Sequence, residues 1–325
     1  MEGFSRNSSK RPVSDRQPRR RLRGALVAAL VAAVSACAAS SGGWERERPL
    51  PLARSEVAGA LFAGRIAVVG GFVANGSSSA RVELYDPARR RWARLPNLPL
   101  AVNHAMAAAA GGTLYVLGGY ADREPQRAVF AFDGRRWRRL PDLPQARAAG
   151  GAAFAGGKLY IVGGVGPSRT PANDAFVYDP STRRWFSIPG PTPREHLGVA
   201  ALRGRVYAVG GRTAGFDTNL GLAEVYRPSE RRWRRLVPVP DPRGGTGLAV
   251  AGALLVSVGG EEPGATIASV YAYDVSDRRW RRLTDLTTPR HGLAVVGRGK
   301  VVYALAGGLR PGLSVSRANE SLVVG

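Results

Sequence analysis

Cysteine is nearly missing from this chain of 325 residues, with Cys37 the single one. No intrachain disulfide can form, and everything downstream of residue 37 is without thiolate chemistry. Lysine is almost as scarce: of 47 basic residues only Lys10, Lys158 and Lys300 are lysine, and the other 44 are arginine. With alanine abundant, that imbalance is what a GC-rich coding sequence produces, so the formal net charge of +23 is weak ground for naming a partner. Long apolar runs are absent from the first 43 residues, where the stretch Ala25 to Val34 has ten residues and falls well short of the roughly 20 that a lone membrane-spanning helix needs. No nucleophile motif, metal-chelating spacing or nucleotide-binding loop is visible.

What the front of the chain does contain is ordered like an export signal. Residues 1–18 are polar, Arg19-Arg20-Arg21-Leu22-Arg23 is basic, the ten apolar residues follow, and Val34-Ser35-Ala36 places small residues directly before Cys37. This resembles the bacterial lipobox, in which the cysteine is lipidated and becomes the mature N-terminus. The resemblance implies a lipoprotein-type signal peptide over residues 1–36, a short linker over 37–43, and a product anchored through lipidated Cys37. Its expected place is the outer side of the bacterial cytoplasmic membrane or the cell envelope. Ordinary cleavage and an uncleaved anchor are the alternatives, and the arginine run fits a plain basic n-region better than a twin-arginine signal.

The remainder is periodic. A glycine doublet recurs at Gly70/Gly71, Gly118/Gly119, Gly163/Gly164, Gly210/Gly211, Gly259/Gly260 and Gly307/Gly308, at intervals of 48, 45, 47, 49 and 48 residues. All six tryptophans keep the same beat: Trp44, Trp92, Trp137, Trp185, Trp233 and Trp280. Two residue types locked to one period mark repeated units that cannot bury their apolar faces alone. Each unit reads as four strands. A small-residue strand such as Gly198 to Leu202 is followed after a tight turn by an apolar run such as Leu159-Tyr160-Ile161-Val162. The doublet and a variable loop come next, then a strand ending in Leu84-Tyr85-Asp86-Pro87 or Val177-Tyr178-Asp179-Pro180, then the Trp strand.

The doublet, the Tyr-Asp-Pro step and the Trp at these offsets resemble the kelch repeat over Trp44 to Val324. The resemblance implies an all-β fold, a six-bladed β-propeller over residues 44–325. Departures are local: Phe132-Asp133-Gly134 replaces the Tyr-Asp-Pro step of the second unit, and Val256 stands where most units have Tyr. The last unit stops at Glu320-Ser321-Leu322-Val323-Val324 with no Trp strand behind it, while Trp44 to Arg54 has no earlier strands of its own. The N-terminal strand is therefore expected to complete the sixth blade and leave no open edge. About 280 residues in one ring bury enough core to do without disulfides. The lack of a propeller cysteine also excludes a copper site of the galactose oxidase kind, which needs a Tyr cross-linked to a Cys.

Without the leader's eight basic and two acidic residues, 39 basic and 22 acidic remain, a net charge of +17. Arginines flank the Trp strands, as in Arg231-Arg232-Trp233-Arg234-Arg235, which places them on the perimeter. There they discourage edge-to-edge strand pairing, with attraction to anionic lipid or envelope polymer as the sharper alternative. No nucleic-acid partner is expected, since no interleaved aromatics or recognised module accompany the charge.

A ligand site is expected on the face formed by the loops into the inner strands and the loops after the doublets. Arg54, Arg147, Arg194 and Arg243 each stand 16 residues before their doublets, and Arg290 stands 17 before, while Val102 followed by Asn103-His104 occupies the place in the second unit. Guanidinium groups converging on a channel mouth would bind a carboxylate, sulfate or phosphate; the competing reading has them bonding loop carbonyls. His104, His196 and His291 lie near the same entrances in alternate units, the symmetry that three imidazoles around a metal would need. Packed or loop-bonded roles suit these positions as well, so no metal and no cofactor is assigned. Glu195 beside His196 is the best acid/base pair, although strand neighbours point to opposite faces.

Two functions fit. One is an exported, lipid-anchored binding scaffold for an anionic glycan or an acidic protein surface, using Arg54, Arg147, Arg194, Arg243, Arg290 and His104. The other, implied by a bacterial sialic-acid mutarotase family that uses an exported kelch propeller, is a sugar mutarotase or epimerase working through Glu195 or His196.

Overall fold

The computed structural model describes residues 42–325; the proposed signal peptide, Cys37 and residues 37–41 of the linker lie outside the described residues. Six four-stranded antiparallel sheets make up the blades. Blade 1 runs outward from the axis through Ala58–Phe62, Arg65–Val69, Val82–Asp86 and Arg91–Arg94, and the other blades repeat this plan.

The sequence of each strand follows from its radius. Inner strands crowd together near the axis and are made of small residues, such as Met106–Ala110 with four alanines in a row. At Gly247 a Cβ would come within 2.2 Å of Val295 Cγ2 on the next inner strand. Second and third strands are covered on both faces, so Ile66, Ala67, Val68 and Val69 are all fully buried. Fourth strands such as Arg232–Arg235 keep only their Trp partly covered. In blades 1 to 5 the fourth-strand Trp packs across its blade on an aromatic of the third strand, for example Tyr178 on Trp185 with ring centroids 4.8 Å apart.

Three girdles of inter-blade hydrogen bonds join the sheets. Outermost, the six Trp Nε1–H groups donate to carbonyls of the preceding blade at 2.7–3.0 Å. Further in, the second doublet residue of every blade donates its N–H to a carbonyl at the entrance of the next blade's inner strand, at 2.7–3.0 Å; Gly211 to Arg243 and Gly307 to Arg54 are two of the six. This contact explains the doublet. A Cβ on Gly118 would lie 2.1 Å from the Arg147 carbonyl oxygen, and the position has φ +54°, so both space and backbone conformation ask for glycine. The third girdle lies at the axis and belongs to the site below.

The sixth blade is assembled from both chain ends, in the order Glu45–Arg46, Asn319–Val323, Val301–Leu305, Ala294–Arg298. Glu45 pairs with Ser321 and Arg46 with Glu320. Glu47 then ties this seam to blade 1, accepting from Tyr85 Oη at 2.6 Å and from Ser321 Oγ at 2.9 Å. Ring closure by the N-terminal strand is as expected. One register differs from the sequence reading: in blade 6 the doublet geometry falls on Ala306 (φ +59°) and Gly307 (φ +103°), one residue earlier than the Gly307/Gly308 pair. Arg290 therefore stands 16 residues before its structural doublet, like the other four arginines.

Candidate functional site

The five repeat-locked arginines do not reach the channel mouth. Arg54, Arg147, Arg194, Arg243 and Arg290 all have 0% exposure, and each guanidinium is spent inside its own blade. Arg194 donates to the carbonyls of Thr192, Ala208 and Gly210 and to Glu224, the last at 2.5 Å. Arg290 makes the same set with Thr288, Ala304, Ala306 and Glu320. Arg54 bonds the Gly70 and Arg81 carbonyls and pairs with Glu83. The expected anion-binding rim is thus corrected to a layer of internal struts. The physical reason is the doublet turn, whose buried carbonyls need donors, and a carboxylate on the third strand that needs a cation.

That third-strand position decides how each strut is paired. Glu83, Glu224 and Glu320 occupy it in blades 1, 4 and 6. Phe176 and Tyr271 replace them in blades 3 and 5, where Arg147 and Arg243 lie over the rings at 4.6 and 5.3 Å and take their carboxylates from Asp174 and Asp241. In blade 2 Phe130 occupies it, and there Val102 stands in place of arginine. Burial pulls Arg54 and Arg243 down to about 10, against the pull of Glu83 and Asp241, so both stay charged at neutral pH.

Two residues after each strut comes the axial girdle: Glu56, His104, Ala149, His196, Gly245 and Gly292, all in the left-handed region with φ between +50° and +66°. Their backbones link blade to blade, His104 N–H to Glu56, Ala149 to His104, His196 to Ala149, Gly245 to His196 and Gly292 to Gly245, at 2.8–3.0 Å. The Val57 N–H closes the circle on Gly292 at 3.2 Å. This collar separates a central channel of about 350 Å³, lined by the inner strands, from a cup of about 1060 Å³ on the face of the doublet loops. Glu56, His104 and His196 line both spaces.

The residues one before the collar and one after the doublets build the cup. They bridge pairwise as Ser55–Phe72, Asn103–Tyr120, Ala148–Val165, Glu195–Arg212, Gly244–Glu261 and His291–Gly308. Phe72, Tyr120 and Phe216 wall the cup with Leu100 and Leu313, and Arg123 and Arg169 stand at its rim.

The floor is one connected polar network. Arg212 donates to Glu195 at 2.9 Å and to Glu261 at 2.8 Å, and its guanidinium lies over Phe216 at 4.9 Å. His196 Nδ1 faces Glu195 Oε2 at 3.0 Å, out of line for a hydrogen bond. His291 presents Nδ1 to Glu56 Oε1 at 3.1 Å and Nε2 to the Arg310 carbonyl at 3.1 Å. Both its nitrogens face acceptors, an arrangement that favours the charged ring; burial works against that charge, but Glu56 and Glu261 raise the imidazole's pKa. Burial likewise opposes ionisation of Glu56, while His104, His291 and His196 hold its carboxyl well below the usual carboxylate range. For Glu195 burial is again outweighed, by His196 and Arg212, which bring it to about 2. His104 goes the other way, to about 4, because burial dominates.

Of the residues expected from the sequence, His104, Glu195 and His196 meet here, and His291 joins them despite its one-residue offset. Glu56, Arg212 and Glu261 were missed. Glu56 stands two residues after Arg54, as His196 does after Arg194, and that alignment carries the signal. Arg212 and Glu261 directly follow their doublets, a position with no shared residue type.

A family model described as the KLHDC2/KLHL20/DRC7 Kelch-repeats domain matches residues 43–190 and 103–308. No curated protein matches the chain.

Proposed function

Since the chain belongs to the kelch-repeat family and folds as a six-bladed propeller, we propose that it is a binding scaffold that takes an anionic glycan into the cup. The observation that carries this reading is the cup itself. Its volume of about 1060 Å³ suits an oligosaccharide, Phe72, Tyr120 and Phe216 offer ring faces for the C–H side of a sugar, and the floor offers donors and acceptors for hydroxyls. Arg123 at the rim makes no ion pair among the described residues and is the anchor for a carboxylate, the role first given to the buried arginines. Binding is favoured over mutarotation because both Glu195 oxygens are already engaged, one by Arg212 and one facing His196, which spends the carboxylate of the expected acid/base pair.

Lipidated Cys37 would hold this scaffold in the envelope, with the basic perimeter facing anionic lipid as a second signal. Mass spectrometry of the mature protein should show a diacyl or triacyl N-terminus at Cys37; a soluble product starting further on would defeat the anchor. For the cup, a panel of carboxylated and neutral oligosaccharides should show retention that falls at least tenfold in Phe72→Ala and for carboxylated members in Arg123→Ala. Equal retention by wild type and Phe72→Ala, or anomer interconversion accelerated by the protein, would overturn the reading.

A further inference from the structure

We infer that Glu56, His104 and His196 form a binding site for a zinc-like divalent cation at the junction of cup and channel. The inference is independent of the glycan reading and rests on four observations about this collar. First, the donor atoms are the right kind at the right separation. Glu56 Oε2 lies 3.2 Å from His104 Nε2 and 3.8 Å from His196 Nε2, and one atom from each of the three residues falls within 4.8 Å of the others. A tetrahedral ion with bonds of about 2.0–2.1 Å has ligand–ligand edges of about 3.4 Å.

Second, the outer nitrogens face acceptors, which favours inner nitrogens that are free to ligate. His104 Nδ1 meets Asn103 Oδ1 at 2.5 Å, and Asn103 Nδ2 in turn donates to Ser78 Oγ at 2.8 Å, which fixes the amide so that its oxygen faces the ring. His104 Nδ1 must therefore carry the proton. The nearest group to His196 Nδ1 is the Glu195 carboxylate at 3.0 Å, again an acceptor only. His104 accordingly turns an Nε2 lone pair toward the Glu56 carboxylate, His196 Nε2 faces the same oxygen, and neither contact is aligned as a hydrogen bond. Donor atoms facing one another at this range match the separation of two ligands on one cation. A carboxylate or carbonyl behind each histidine is also the arrangement that orients imidazole ligands.

Third, the carboxylate is prepared as a one-oxygen ligand. Its Oε1 is taken by His291 Nδ1 at 3.1 Å, leaving Oε2 for the ion. His291 itself is not a ligand, since Nε2 bonds the Arg310 carbonyl and Nδ1 serves Glu56 and Glu261. Fourth, the three ligands sit in left-handed backbone at φ +50°, +51° and +54°, a conformation that costs a side-chain-bearing residue about 1–2 kcal/mol. Glycine fills the same place in blades 5 and 6 and alanine in blade 3, so the fold does not require these side chains there. Three protein ligands leave one position open, and the cup lies beside it, as in sites where a water or a ligand oxygen completes the shell.

The test uses the protein without a polyhistidine tag and Co²⁺ as the probe, with Zn²⁺ as competitor. One equivalent of Co²⁺ should give visible d–d bands of four- or five-coordinate cobalt, bleached by one equivalent of Zn²⁺. His104→Gln and His196→Gln should each weaken binding at least 100-fold. Glu56→Gln keeps the shape and the Oε1-side bond and should weaken it at least tenfold, so a fold defect in the histidine variants would not decide the outcome. His291→Asn should retain the bands. Octahedral, weakly coloured cobalt, or equal affinity in wild type and the His104→Gln/His196→Gln pair, would overturn the site while leaving glycan retention untouched.

Discussion

The arginine struts and the axial collar lie two residues apart in every blade, yet they obey opposite rules. Struts repeat: five of six blades carry arginine, and the exception, Val102, comes with an apolar partner, Phe130. Collar positions diverge, with glutamate, histidine, alanine and glycine sharing one backbone conformation. The strut's partners all lie within its own blade, a doublet-turn carbonyl in four of the five and a carboxylate in every one, so its residue type is dictated locally. The collar's side chains meet around an axis, where positions from different blades can converge on one ligand. In a propeller, what repeats holds the ring together and what breaks the repeat is free to do chemistry.

This contrast can be broken most directly at a strut. Arg194→Ala should cost about 3–5 kcal/mol, because Glu224 is left buried and unpaired, whereas His104→Ala in the collar should cost about 1 kcal/mol, the worth of a lost hydrogen bond. Denaturant unfolding of both variants checks this; equal losses would erase the distinction. A smaller effect is expected at the doublet. Gly210→Ala would place a Cβ 2.7 Å from the Arg243 carbonyl oxygen at φ +68° and should lose roughly 2 kcal/mol or more from backbone strain and crowding. Trp92→Phe removes one bond of the outer girdle, to the Arg48 carbonyl at 3.0 Å, and should lower stability by about 1 kcal/mol. The smallest change has the opposite sign. Ala306→Gly relieves a left-handed alanine at the one doublet position that lacks glycine, and a gain of about 0.5–1 kcal/mol should appear as a raised Tm; a loss would mean that the register assigned to blade 6 is wrong.

The ring was legible in the sequence because its determinants are periodic. Doublets, tryptophans and the unpaired halves of the sixth blade each mark a contact that recurs by rotation. The direction of the arginines was not legible from position alone, since a repeat-locked side chain can point to the axis or into its blade with equal regularity. Its partner was a readable clue: Glu83, Glu224 and Glu320 follow their arginines by 29, 30 and 30 residues, a second period running beside the first. The floor was legible only in fragments. His104, Glu195 and His196 drew notice by residue type, but Arg212 and Glu261 come from different blades and meet only after the ring has closed, so no local pattern announces their pairing.

The seam of the sixth blade has a kinetic consequence. Blades 1 to 5 are built from strands that follow one another in the chain, so each can form soon after its last residue is free. The seam instead joins Glu47 to Ser321 across 274 residues, a contact whose loop-closure entropy must be met before its bonds repay it. The circle therefore closes last, as a clasp. Until then the collar has no fixed diameter, the Glu56 of the first blade has no His291 to meet, and the cup has no floor. Binding competence should appear with the slowest folding phase, and fusing the natural ends while reopening the chain at the exposed Gly64 turn should move that slow closure from the Glu47–Ser321 seam to the Ala58–Phe62/Arg65–Val69 pair of blade 1.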